Sequence, residues 1–215
     1  MNFFRFTLLS DGSSDRTLIP HLTWLLKQNG VTLPVVSAWA DLNRLRERPK
    51  NLTEKIERTL ELYPCELLFI HRDAEREPPE SRREEIANAL LNVNEDLEKP
   101  LYVCVIPVRM SEAWLLFDEN AIRRASGNSE GNAGLGLPRL RNVENLPDPK
   151  EVLFNAIRVA SEKSGRRLKQ LNSDMLILRY RVSELIEDFS PLRILPAFQR
   201  LEEDINSLIT ENDLA

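Results

Sequence analysis

The sequence predicts an α/β fold with a mostly parallel sheet of about four strands flanked by helices, followed by a helical C-terminal extension. Two observations predict this fold. Four apolar runs with strand character occur before residue 109, and helical patterns separate them. Strands that alternate with helices form parallel βαβ units. After the fourth run the alternation stops, and the remaining residues have helical patterns joined by loops.

The predicted strands are short apolar runs bounded by polar residues. The last three lack strict apolar/polar alternation, as expected of strands that are buried on both faces. In such sheets, ligands bind outside the carboxyl ends of the strands, so the residues that follow each strand are the first place to look for a site. The four runs are residues 3–9, 33–39, 65–71 and 101–108.

Helical patterns at about 13–28, 51–62 and 80–92 lie between these strands. The first two follow Ser or Asn, which are good N-cap residues. Beyond the last strand, a helix is predicted to begin at Ser111 and another at Asp148, where Pro149 suits the first helical position. Two more helices are predicted at about 172–187 and 191–209.

The length of 215 residues suits one well-buried domain with an appendage. The predicted division is an α/β domain at 1–126, a Gly-rich loop at 127–147 and a helical region at 148–215 packed on the same domain. The run "GNSEGNAGLGLP" holds four of the seven glycines. A mobile loop is favoured over a phosphate-binding turn, because the chain has no GxGxxG or GK[ST] signature.

Composition narrows the class of protein and its location. Hydrophobic residues make up 42% and charged residues 29%, which is typical of a folded globular protein. The formal charge of −5 excludes a globally basic nucleic-acid coat but leaves room for a local basic face. Two cysteines suit a reduced compartment, and no export signal or membrane-spanning run is evident. A cytoplasmic protein without membrane contact is expected.

Acidic residues recur where the predicted strands end. Asp11 follows the first strand, Asp73 and Glu75 follow the third, and Glu112 lies just past the fourth. In a parallel sheet these positions share one edge, and crowded carboxylates repel one another unless a cation neutralises them. Mg²⁺, or Mn²⁺ in its place, suits a sparse acidic cluster because it binds through one or two carboxylates and keeps several waters. A metal site is therefore predicted at this edge.

Each acid also has a structural interpretation. Asp11 and Asp15 would cap the helix after the first strand, and Glu112 would do the same for its own helix. Glu75 belongs to a charged run that is typical of a solvated surface. His71 lies inside the third strand and is predicted to be a structural histidine. Zinc is not favoured, because two histidines and two cysteines form no recognisable ligand set.

Three short motifs together resemble the TOPRIM domain, the topoisomerase–primase fold. They are "SDGSSD" after the first strand, "RDAE" after the third and "PVRMSEAWLL" after the fourth. More narrowly, the chain is similar to TOPRIM-like bacterial proteins of unknown function that often lie near defence or mobile-element genes, and residues 190–204 also match them. The resemblance implies a Mg²⁺-dependent nuclease, or a related phosphoryl-transfer hydrolase, that acts on DNA or RNA in defence against foreign DNA.

The resemblance also assigns roles. TOPRIM proteins use the acid of the first motif for acid/base chemistry and an Asp-x-Asp pair for Mg²⁺. By position, Asp11 takes the first role and shares the metal with Asp73 and Glu75, while Glu112 is an additional catalytic acid. Two departures count against full activity, because Asp11 is shorter than the expected Glu and Glu75 replaces the second Asp. A misplacement of about 1 Å can cost on the order of a hundredfold in rate.

These departures support an alternative function, a non-catalytic TOPRIM-like module that binds a separate protein or nucleic acid. An ATPase is one such partner, and it would be a separate chain because no Walker motif is present. A small-molecule phosphatase or nucleotide-binding enzyme would use the same metal chemistry in a smaller pocket. The sequence leaves all three open.

Residues 158–181 form a basic stretch in an acidic protein. Lys and Arg side chains that neutralise phosphates give salt-sensitive binding with little sequence preference, as a nuclease requires. A solvated helix face is the alternative. The predicted nucleic-acid contacts are Arg158, Arg166, Arg167 and Lys169, and Lys163, Arg179 and Arg181 add to the positive charge.

Overall fold

A computed structural model describes residues 3–74, 77–108 and 110–214. Its four strands form one sheet in the order β2-β1-β3-β4, and every neighbouring pair is parallel. The α/β class and the parallel sheet predicted from the sequence are therefore confirmed. The strands are β1 (Phe4–Leu9), β2 (Val35–Trp39), β3 (Leu67–His71) and β4 (Leu101–Val105).

The two central strands, β1 and β3, carry the core of the sheet. All five residues of β3 are buried, which explains why this run shows no alternation. Phe6 of β1 meets Phe69 of β3 edge to face, with ring centroids 5.2 Å apart. The edge strand β2 is less covered, since Val36 is 45% exposed.

Helices α1 (Leu18–Gln28), α2 (Leu52–Leu62) and α3 (Pro79–Leu91) connect the strands. Each buries an apolar stripe, as amphipathic helices on a sheet must. Asn51 caps α2 as predicted, because its side chain accepts a hydrogen bond of 2.9 Å from the Glu54 N–H. The helix predicted from residue 13 begins instead as a 3-10 turn, Ser13–Thr17.

The remaining helices are α4 (Glu119–Ser126), α5 (Pro149–Ser161), α6 (Gly165–Ser173), α7 (Met175–Leu185) and α8 (Pro196–Glu211). Asp148 caps α5 as predicted. The start at Ser111 is a 3-10 turn, Ser111–Leu115, rather than an α-helix. The sequence did not predict α6, and the helix predicted at 172–187 is α7. The Gly-rich run at 127–138 is a loop.

The chain forms two compact units, and this division differs from the predicted boundaries at 126 and 147. Unit 1 comprises residues 1–108 and 200–215, and unit 2 comprises residues 109–199. Residues 119–126 group with the helical unit because α4 contacts α5 and α7. Residues from Arg200 onward group with the sheet, where Asp204 pairs with Arg83 of α3 at 2.7 Å.

The core of unit 2 includes an aromatic pair. Trp114 is fully buried and meets Phe198 edge to face, with ring centroids 5.3 Å apart. None of the described helices combines the length and apolar character needed to cross a membrane.

Candidate functional site

Asp15 accepts hydrogen bonds from two residues of the loop that follows β1. The Gly12 N–H donates to Asp15 Oδ2 at 3.1 Å, and the Ser14 hydroxyl donates to Asp15 Oδ1 at 3.0 Å. Asp15 is 6% exposed. The capping interpretation of Asp15 is therefore correct, since its carboxylate satisfies a backbone N–H at the start of the 3-10 turn.

His71, the last residue of β3, brings two of the acids together. Its Nδ1 lies 3.5 Å from Asp15 Oδ2, and its Nε2 lies 3.3 Å from Asp73 Oδ1. Neither ring nitrogen forms a well-aligned hydrogen bond with any described residue, and neither does the buried Asp73 Oδ1. His71 was predicted to be a satisfied structural histidine; its ring lies between two carboxylates, without a well-aligned hydrogen bond, at the edge where the site was expected.

Electrostatics favour the protonated form of this histidine. Burial alone lowers the pKa of His71, but the adjacent carboxylate of Asp73 and the negative charges of Asp15 and Asp11 outweigh burial, so the pKa is raised above its ordinary value. Three carboxylates thus act on one imidazole. The acids at the ends of β1 and β3 therefore shift the pKa of a buried imidazole upwards.

Asp11 is surrounded by cationic side chains of the protein itself. Lys55 Nζ lies 2.6 Å from Asp11 Oδ1, and Arg72 Nη1 donates to Asp11 Oδ2. Burial tends to raise the pKa of Asp11, but the hydrogen bond from Lys55 and the charges of Arg72, Lys55 and His71 lower it overall. Asp11 is therefore held ionised, with both carboxylate oxygens already in contact with positive charge.

A second acid anchors the arginine that reaches Asp11. Glu85 on α3 accepts from Arg72 Nη2 at 2.9 Å and from Arg82 Nη1 at 3.0 Å. Arg82 also donates from Nε to the Asp73 carbonyl at 3.2 Å. These contacts connect α3 to the residues that follow β3 and fix the position of Arg72.

Of the four acids predicted to share one rim, the structure describes three. Asp11 and Asp73 lie at the carboxyl ends of β1 and β3, as predicted. Glu75 lies outside the described residues. Glu112 belongs to unit 2, where it is 5% exposed and accepts a hydrogen bond from Arg179 Nη1, a residue that is 3% exposed. Its observed contact is thus a buried ion pair.

The basic stretch divides into paired and unpaired side chains. Arg158 pairs with Glu151 at 2.8 Å, Arg181 with Glu184 at 3.3 Å, and Arg179 with Glu112. Lys163 donates to the Ser126 carbonyl at 3.1 Å. Three side chains of α6 are exposed and form no salt bridge to any residue that the structure describes. They are Arg166, Arg167 and Lys169.

Sequence reasoning missed the cationic residues of the site. Lys55 and Arg72 were not singled out, and neither was the supporting pair of Arg82 and Glu85. Arg72 carried a usable signal, because an arginine directly after a buried strand and next to an acid is unusual in a sheet core. Lys55 carried none, since one lysine on an amphipathic helix is typical of a solvated surface.

The described residues limit which metal sites are possible. Over residues 3–74, 77–108 and 110–214, no three His, Cys, Asp or Glu side chains are grouped so as to hold a metal ion. A site at the acidic edge would therefore need movement of Lys55 and Arg72, or a contribution from Glu75. Lys55 and Arg72 have flexible side chains that are 28% and 20% exposed.

Comparison of the chain with known protein families, curated proteins and solved structures found no match.

Proposed function

We propose that the edge formed by the ends of β1 and β3 binds a divalent cation and that the protein is a TOPRIM-type phosphoryl-transfer enzyme, a nuclease acting on DNA or RNA. The observation that carries the proposal is the gathering of Asp11, Asp15 and Asp73 around the buried His71, within 3.5 Å of the ring for Asp15 and Asp73. Active sites are where burial and crowded charges perturb titratable groups most.

One observation on this edge supports a cation and another opposes it. Asp73 Oδ1 is buried and has no hydrogen-bond partner among the described residues, so it offers an acceptor for a cation, which would compete there with the protonated form of His71, whose Nε2 lies 3.3 Å away. Asp11 instead contacts Lys55 and Arg72, which already neutralise it. A cation that binds through Asp11 must displace these two side chains.

The proposed ligands are Asp11, Asp73 and Glu75, and the expected ion is Mg²⁺ or Mn²⁺. A bound ion of this kind stabilises charge on a phosphoryl oxygen and lowers the pKa of its water. Arg72, once released from Asp11, would be available to hold a phosphate oxygen in a bidentate manner. The buried pairing of Glu112 with Arg179 supports a structural role, so our proposal leaves the chemistry to the other three acids.

Nucleic acid is proposed to contact α6. Arg166, Arg167 and Lys169 are exposed there without salt-bridge partners in the described chain, so they can neutralise phosphates without first breaking an ion pair. Arg158 was predicted in the same role but is held by Glu151 and Asn172. We therefore expect Arg158 to contribute less than the three α6 residues.

A second function is supported by the contacts of Asp11. A carboxylate that Lys55 and Arg72 neutralise needs no metal, and this favours a non-catalytic module that keeps the acidic edge for structure and binds a protein partner such as a separate ATPase. The two functions make different predictions about metal.

Cation binding is tested by thermal unfolding with and without millimolar Mn²⁺. We expect Mn²⁺ to raise the Tm of the wild type, because a ligand that binds only the folded state stabilises it by mass action. Asp73→Asn should abolish the shift, and Asp96→Asn, the same change at an exposed position before β4, should keep it. Lys55→Met should lower the Mn²⁺ concentration needed for half of the shift, because it removes a competing cation.

Wild-type protein that shows neither a Mn²⁺-dependent rise in Tm nor cleavage of single-stranded DNA, duplex DNA or RNA would contradict the proposed enzyme and support the partner module.

Binding of nucleic acid is measured separately. Arg166→Glu with Arg167→Glu should weaken binding and reduce the salt slope by about two. The matched control is Arg139→Glu with Arg141→Glu, which changes the net charge equally at two other exposed arginines of unit 2.

A further inference from the structure

Strand β2 lies at the edge of the sheet, and its outer side pairs with no other strand that the structure describes. Phe4 N donates to the Pro34 carbonyl, and Ala40 N donates to the Leu8 carbonyl, both at 2.9 Å. The backbone N–H and C=O groups of the even-numbered residues of β2 therefore point towards β1. Because the direction of the backbone groups alternates along a strand, Val35, Ser37 and Trp39 point their N–H and C=O groups away from the sheet. β2 pairs only with β1 among the described strands.

Strand β2 itself carries few of the features that proteins use to block strand addition, although the Arg16 guanidinium lies 5.8 Å from the centre of the Trp39 ring. Natural edge strands are protected by charged side chains, proline, bulges or covering segments. Residues 35–39 contain no charge and no proline, and their register with β1 is unbroken. Val36 is 45% exposed, Ser37 is also exposed, and Leu33 just before the strand is 41% exposed. The side chains of Leu33, Val36 and Ser37 are thus accessible.

Charge is missing well beyond the strand itself. Residues 28–40, "QNGVTLPVVSAWA", carry no charged side chain in a chain that is 29% charged. A surface segment that is kept free of charge over this length is typical of a buried contact rather than of a solvated edge.

We propose that β2 pairs antiparallel with β2 of a second copy of this chain, about a two-fold axis at Ser37, to give one continuous sheet. With the axis there, Ser37 faces Ser37 of the second copy, and Val35 faces Trp39 of that copy. These are the residues whose backbone groups point outwards, so all three opposed pairs are hydrogen-bonded pairs. The exposed Val36 then lies opposite Ala38.

A second copy fits this edge better than other partners do, because the pattern is self-complementary. Apolar residues oppose apolar ones across the axis, and a polar residue opposes itself. Asp41, the first charge after the strand, faces the uncharged Leu33 of the other copy rather than a like charge. An isologous contact requires this kind of match between one surface and itself.

The test measures the oligomeric state of the full chain by sedimentation equilibrium. A five-residue strand pair is a small interface, so the experiment covers roughly 1 to 100 μM protein. We expect the wild type to dimerise over this range. Ser37→Lys and Ser37→Glu should each be monomeric, because like charges would oppose each other directly at the axis. Tyr102→Lys, a matched change at a 43% exposed position on the opposite edge strand β4, should still dimerise.

An equimolar mixture of Ser37→Lys and Ser37→Glu should recover the dimer, because opposite charges then meet at the axis. Recovery also shows that both variants are folded. A wild type that stays monomeric up to the highest concentration overturns the proposal. Dimers that survive Ser37→Lys, or that Tyr102→Lys abolishes, overturn it as well. Hydrogen exchange provides a second readout, since the amides of Val35, Ser37 and Trp39 should become protected only in the dimer.

Discussion

At the scale of single residues, His71 is the feature that distinguishes this sheet edge from an ordinary strand end. It is a buried base placed between the carboxylates of Asp15 and Asp73. An imidazolium in this position compensates two acids that would otherwise be crowded and partly desolvated. The charge of one ring thus contributes to the stability of the fold.

This arrangement predicts how stability depends on pH. The pKa of His71 is raised in the folded protein above its ordinary value of 6.5. Its stabilising contribution is therefore complete below about pH 6.5 and is lost as the pH rises through the raised pKa. Between pH 6 and 9, roughly the range around a histidine pKa, we expect the wild-type Tm to fall and His71→Gln to flatten that fall.

The control for this experiment is Thr59→Val. Thr59 is also buried in unit 1, and its hydroxyl donates to the Lys55 carbonyl at 2.8 Å, but it has no titratable group. This variant should lower the Tm at every pH and leave the slope against pH unchanged. Equal slopes for the wild type and His71→Gln would show that His71 carries no linked proton in this pH range.

The sequence revealed the acids of the site but not their partners. Asp11 and Asp73 were found because strand ends are readable from apolar runs. The contact of Lys55 with Asp11 joins α2 to the loop after β1, and no local pattern records which side chain of a helix meets which loop. The carboxylates beside His71 were not predicted for a related reason, since the position of Asp15 depends on how the loop after β1 folds.

At the scale of elements, the buried pair of Glu112 and Arg179 connects the 3-10 turn Ser111–Leu115 to α7. Both side chains are almost fully buried, so each depends on the other for neutralisation. Breaking such a pair leaves an uncompensated charge in the interior, whereas replacing both partners by apolar residues is often tolerated.

A double-mutant cycle follows from this pair. Glu112→Met and Arg179→Met should each lower the free energy of unfolding by about 3 to 5 kcal/mol, and the double variant should recover much of that loss. Urea denaturation of the four proteins measures the coupling. Additive losses would mean that the two side chains do not depend on each other.

The elements themselves were largely predictable, and the exceptions have physical causes. The four strands were found because their apolar runs are long and bounded by polar residues. α6 was missed because its residues "GRRLKQLNS" carry few apolar side chains, and Leu171 alone is buried. The Ser111 segment was expected to be α-helical, but it forms a 3-10 turn whose five residues are all buried. Tertiary packing overrides local propensity there.

At the scale of the whole molecule, the chain divides into two compact units. Leu68 is buried in the hydrophobic cluster of unit 1, and Ile157 of α5 is buried in unit 2. Compact units of one chain can unfold as separate cooperative transitions. We expect calorimetry to resolve two transitions. Leu68→Ala should lower the midpoint of one and Ile157→Ala the midpoint of the other, and each change should reduce the free energy of unfolding of its own unit by about 2 to 5 kcal/mol. One shared transition that both variants lower equally would show that the chain unfolds as a single unit.

The order in which the chain is made has a consequence for unit 1. Its last residues, including Asp204 with its contact to Arg83, are translated only after all of unit 2. A nascent chain that ends before residue 200 therefore contains the whole sheet but lacks the segment that pairs with Arg83. Closing this contact joins residues far apart in sequence, which slows folding. Unit 2 is continuous in sequence and is free to fold first, so the first unit to begin synthesis is the last to be completed.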